Sequence, residues 1–272
     1  MQCLRRGSGK PLLLVHGIGG SQQSWNPTLD TLVAEREVIA IDLPGAGAGA
    51  TPPLPGEMSI RTLCAATTQF LRVEGLSGID AVGSSMGGRV VLELARRGGV
   101  LGGVVSLDPG GFWRGWERHA FYASIWLSIR LVRLLQPAMP AIARHALSRT
   151  LLLAQFSARP GHLPAQVVLD EMRSFAASPS FDELLRQLAY GEAQQGAPRG
   201  SIGAPLVIGW GRHDRVCFPR QARRCCPMPR APPTSRQPPL RCKKPATLPT
   251  PTPICRRCST NWHSSAASRS RR

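Results

Sequence analysis

The chain has 272 residues, with 34 Lys+Arg against 16 Asp+Glu and a formal net charge of +18. A hydrophobic content of 42% excludes wholesale disorder, and the length suits one large domain or a domain with an appendage. No apolar run approaches the ~20 residues of a spanning helix, and the N-terminus lacks the apolar run of a signal peptide, so no transmembrane segment and a cytoplasmic location are expected.

Five short runs are apolar on consecutive positions: 11–15, 38–43, 79–82, 104–107 and 206–209. Each is closed by a turn residue, as at His16-Gly17, Pro44-Gly45, Gly83, Asp108-Pro109-Gly110 and Trp210-Gly211. Such runs suit strands buried on both faces. Helical patterns over 28–36, 60–73 and 89–97 lie between them, the last stopped by Gly98-Gly99. Alternation of this kind predicts an α/β fold, a mostly parallel sheet with helices on both faces. Residues 112–200 break the rhythm. Stretches 126–135, 141–156 and 182–190 read as helices, and helices inserted between two sheet strands suit a cap over the strands' C-terminal ends, where ligands bind in open α/β sheets. The pattern around Arg130–Arg133 admits a membrane-surface or calmodulin-like reading, but a cap helix with solvated arginines is the preferred one. The expected organisation is 1–111 and 201–224 as core, 112–200 as helical cap and 225–272 as a low-complexity basic tail.

The chemistry centres on Gly83-Ser84-Ser85-Met86-Gly87-Gly88, which follows a strand and opens a helix. This is G-x-S-x-G in the context it requires. A tight strand-to-helix turn tolerates only glycine beside the serine, and it exposes Ser85 Oγ above the sheet. The Met86 amide then sits at the helix N-terminus, where the dipole favours a developing oxyanion. Ser84 lacks the glycine two before it and is the weaker candidate. His16-Gly17-Ile18-Gly19-Gly20 follows the first strand and offers the Ile18 amide as a second oxyanion donor. His16, at a strand end beside glycines, suits a structural hydrogen-bonding role, and Asp42 in the turn 42–47 is likewise read as structural.

These segments resemble the α/β-hydrolase superfamily, specifically single-domain serine hydrolases with a helical cap. The matching stretches are 12–25, 38–53, 80–98, 104–113 and 204–216, in the family's order. The resemblance implies acyl chemistry at Ser85 on a carboxylic ester or related small-molecule substrate, with no cofactor and no metal. It places the acid at Asp214, just after the penultimate strand, with Asp108 as the alternative. It also implies an apolar acyl pocket under the cap, for which Trp25, Phe112, Trp113 and Trp116 are the candidates. Ten residues before Pro11 are too few for the family's opening hairpin, so the first and last strands are expected to be missing.

The base is the difficulty. The triad order is serine, acid, histidine, and the only histidine after Asp214 is His263, in a segment without the family's strand and Gly-His turn. His263 is thus a weak candidate. Residues 225–272 hold ten Lys+Arg, no Asp or Glu, ten Pro and five Cys. Translated from the last base of each codon, this text can yield Gly-His near Thr247, which reads as a tail out of frame. Its Cys255-x-x-Cys258 pair lacks the second ligand pair a zinc site needs, and its arginines would bind nucleic acid only nonspecifically. The missing base leaves a catalytically inactive fold that binds a small apolar ligand as the alternative.

Overall fold

A computed structural model describes residues 1–47, 51–198 and 200–225. Everything expected of the tail, including His263, lies outside these residues. The strands are β1 (Cys3–Arg6), β2 (Pro11–Val15), β3 (Glu37–Ile41), β4 (Ile79–Ser84), β5 (Leu101–Leu107) and β6 (Leu206–Gly209). They form one sheet in the order β1-β3-β2-β4-β5-β6, parallel throughout except for β1, which runs antiparallel to β3. The helices are α1 (Asn26–Val33), α2 (Ile60–Val73), α3 (Met86–Arg97), α4 (Glu117–Leu134), α5 (Met139–Arg144), α6 (Ala146–Leu153), α7 (Ala165–Ala177), α8 (Phe181–Tyr190) and α9 (Ala222–Cys225).

Period-two alternation along the central strands explains why helices are needed on both faces. Leu13, Val15, Ile39 and Ile41 join Leu63, Leu71, Val90 and Leu94 of α2 and α3 in the main core. Leu12, Leu14, Val38 and Ala40 point the other way and pack with Leu29 of α1. The cap helices have a smaller cluster of their own, built from Val132, Met139, Ala143, Leu153, Val168 and Met172. Phe175 packs against both clusters, and Phe181, fully buried, ties α8 into the main core.

Three expectations are corrected. A strand does precede β2: Cys3–Arg6 pairs with β3 rather than with its chain neighbour, so the short connection through Gly7 and Gly9, both at positive φ, suffices without a hairpin. Strand β5 begins at Leu101, three residues earlier than its apolar run, because Gly102-Gly103 reads as a break although both lie within the strand, where the register with β4 shifts, and Gly103 N–H donates to Asp80 Oδ1 at 2.8 Å. Helix α7 was not foreseen. It buries only Val168 and Met172, one turn apart, and its first residues follow a Pro-Gly turn signal.

Truncating Phe181 to Ala removes the ring that joins cap to core and is expected to lower the unfolding free energy by about 3–5 kcal/mol. The urea midpoint of the variant measures this.

Candidate active site

The turn that carries Ser85 begins where β4 ends. Ser85 has φ 53° and ψ −112°, a conformation L side chains rarely adopt. Its amide donates to Leu107 O at 2.8 Å, and its carbonyl accepts from Arg89 N–H at 3.0 Å as α3 starts. Two glycines make the turn possible. A Cβ on Gly83 would come 2.2 Å from Gly87 O, and a Cβ on Gly87 would come 2.2 Å from Val15 O. The helix therefore starts almost in contact with the end of β2. Met86, buried, is the first residue of α3, so its amide is among those with no intrahelical acceptor.

The loop after β2 is fixed by His16. Its Nδ1 lies 2.7 Å from Gly17 O, and its Nε2 accepts from Leu43 N–H at 3.0 Å, which makes Nδ1 the protonated nitrogen. Burial lowers the pKa of this imidazole, in keeping with the neutral form. The structural role expected of His16 is thus visible in its bonds. Asp42 also serves the loop, accepting from Gln22 N–H at 2.7 Å and from Gln22 Nε2 at 3.2 Å.

A cavity of about 1040 Å³ opens above this turn, between the sheet and the cap. Ile18, Trp25, Ser84, Ser85, Asp108 and Asp214 all line it. The structure thus brings together the predicted serine, both predicted acids and the Ile18 loop. Of the four predicted pocket aromatics only Trp25 lines the cavity. Phe112 packs edge-on against Trp210, with ring centroids 6.3 Å apart. Trp113 stacks on Phe121 at 4.3 Å and donates from Nε1 to Leu188 O at 3.1 Å. Trp116 is 61% exposed and lies under the Arg220 guanidinium. Phe112 and Trp113 pack against the core instead, and Trp116 faces solvent. The apolar lining comes instead from Phe121, Ile125, Phe156 and Phe175.

Asp108 and Asp214 stand on either side of Gly211. Asp108, at φ 46°, accepts from Gly211 N–H through Oδ1. Asp214 Oδ1 accepts from Val216 N–H at 2.7 Å and Cys217 N–H at 2.8 Å. Among the described residues Asp214 Oδ2 accepts no hydrogen bond. Burial pushes the Asp214 carboxyl up to about 6, with the nearby Asp108 charge adding to the rise against the two amides. Burial likewise raises Asp108, opposed by the Gly211 amide.

Two lining residues escaped the sequence reading. Glu171 reaches the cavity from α7, and burial raises its carboxyl although Ser24 donates to it. It could be found only by recognising α7. His213 lines the cavity beside Asp214. It was passed over because the motif's order seeks a histidine after the acid.

A model described as the alpha/beta hydrolase family matches residues 12–240. The dihydrolipoyllysine-residue acetyltransferase component of the acetoin cleaving system from Pseudomonas putida is 31% identical over 225 residues, covering 79% of this chain and 55% of that protein. The chain thus spans about half the length of that relative. Among solved structures, the enol-lactonase from Burkholderia xenovorans superposes with a TM-score of 0.61 at 18% identity, covering 82% of each chain. A meta-cleavage product hydrolase from Pseudomonas fluorescens gives 0.61 at 17%, covering 82% of this chain and 80% of that one. At these identities the two structures share the fold.

Two outcomes test the site's construction. Gly87→Ala forces a methyl into the β2 carbonyls and is expected to destabilise the chain by about 3 kcal/mol or more, read by urea unfolding. Asp214 keeps its proton to about pH 6 when folded, whereas an unfolded aspartate loses it near pH 4. The native state therefore binds more protons in that window, and stability falls as pH rises through it. Asp214→Asn is expected to raise the unfolding free energy by about 1–3 kcal/mol above the window and to converge with the parent below it. Urea titrations across pH check the sign.

Proposed function

The chain belongs to the α/β hydrolase family, and from that premise we propose that it is a serine hydrolase of a small carboxylic ester or related acyl compound. The observation that carries this reading is the strained Ser85 at the floor of the cavity, held by glycines that admit no side chain. Ser85 Oγ, giving up its proton, attacks the acyl carbon, and the Ile18 and Met86 amides receive the charge on the carbonyl oxygen. The C–O bond to the alcohol breaks, the alcohol leaves with that proton, and water then cleaves the acyl-serine to release the acid and restore Ser85. Asp214 is the acid that would orient and stabilise an imidazolium, with Asp108 beside it. The cavity's aromatic lining suits an apolar acyl group.

The proton of Ser85 needs an acceptor. His16 commits both ring nitrogens to the backbone, so it is not the base. His213 is the other described histidine at the cavity. That Asp214 Oδ2 accepts no hydrogen bond among the described residues favours a second reading, in which the chain keeps the pocket and binds a small apolar ligand without turning it over.

A fluorophosphonate probe and a short aryl ester separate the two. The expected result is covalent labelling and ester hydrolysis, both abolished by Ser85→Ala, with a rate loss of at least about 10³. Labelling that persists in Ser85→Ala would overturn the assignment, and a parent chain that never labels supports the binding protein. His213→Ala, assayed alongside, shows whether that imidazole takes the proton.

A further inference from the structure

The cap carries an outward face that the hydrolase reading does not use. Helix α4 is apolar on two sides. Phe121, Ile125 and Ile129, four residues apart, form the row buried in the main core. The opposite side presents Trp126, Leu127, Leu131 and Leu134 to solvent, Leu127 at 63% exposure. Helix α6 adds Leu147 and Leu151, one turn apart and 73% and 74% exposed.

The end of α6 meets the middle of α4. Gln155, one turn beyond Leu151, bonds Ser124 and Ser128, and those serines border Leu127 and Leu131 on α4. Among the described residues, six of the ten large apolar side chains that stand exposed are on these two helices. An exposed patch this concentrated marks an interaction surface.

The charge identifies the partner. Residues 114–162 hold seven arginines and one acidic residue, Glu117. Glu117 is buried and taken up by Arg220 and Arg224. Arg130 lies over the Trp126 ring at 5.4 Å, and it and Arg133 share Asp182. Arg118, Arg144 and Arg159 are exposed, with no ion pair among the described residues. A second copy of the chain would bring an equally positive face, which repels. Residues 226–272 contain no Asp or Glu and cannot neutralise it. A nucleic acid would meet the arginines and leave the leucines in water. An anionic bilayer satisfies both at once, since apolar side chains enter the acyl boundary while arginines meet headgroup phosphates.

We propose that this face of the cap docks on an anionic lipid surface, with Leu127, Leu131, Leu147 and Leu151 at the acyl boundary. The proposal is independent of the chemistry assigned to Ser85. Flotation of the full chain tests it with vesicles of phosphatidylcholine alone and of phosphatidylcholine mixed in equal parts with phosphatidylglycerol. The chain is expected to float with the anionic vesicles and not with the neutral ones. Replacing the four leucines by Ser is expected to weaken that association by at least about tenfold at unchanged ionic strength. Equal flotation of parent and variant would overturn the proposal by assigning the attraction to charge alone. A parent that stays with no vesicle, or a parent that dimerises through these leucines, would overturn it as well. Should the fourfold variant fail to fold, Trp126 decides: acyl-brominated anionic lipid should quench the parent's fluorescence, with a smaller effect in Trp126→Gln, and equal quenching in both would count against the docking.

Discussion

The closeness of α3 to the end of β2 is the constraint on which the site depends. With Val15 O and Gly87 in near contact, the chain can leave β4, turn within one residue and start a helix, and Ser85 carries the strain of that turn. The strain is held by bonds on both sides, from Ser85 N–H to Leu107 O and from Arg89 N–H to Ser85 O. The same approach places Gly17 against Ser85, since a Cβ there would lie 3.4 Å from Ser85 Cβ. One short distance thus sets the positions of the serine and of the loop that offers Ile18.

The carboxylates at the cavity share one perturbation. Asp108, Glu171 and Asp214 are all raised chiefly by burial. Folding has put three acids where the ionised form is disfavoured, as expected of groups placed for use rather than for stability. The net positive charge of the chain does not relieve them, because the ion pairs lie elsewhere, at Asp80, Glu93, Glu117 and Asp182.

Most of the sheet was legible in the sequence because its strands are buried on both sides and read as unbroken apolar runs. Helix α2 was legible to the residue, since its apolar positions keep a helical period. The elbow was legible because sterics leave glycine no substitute at 83 and 87. What stayed hidden has equally physical causes. Strand β1 is an edge strand with mostly exposed side chains, so no apolar run announces it. Helix α7 buries two residues only. Phe112 and Trp113 were misplaced because composition says that an aromatic will be buried, not which side of a chain turn will bury it, and Trp116 because a ring can stay exposed under an arginine instead.

The cap's separate apolar cluster gives the molecule two levels of cohesion. Six buried residues hold α4 to α7 together, while the sheet and its flanking helices share a core of more than twenty. Local opening follows the smaller cluster, because the energy needed to expose a region scales with the apolar contacts it must surrender. Phe175, packed on both clusters and on the cavity, is where the two levels meet. Amide exchange in the cap can then run ahead of exchange in the strands, so that the cavity's roof breathes over a floor that keeps its shape.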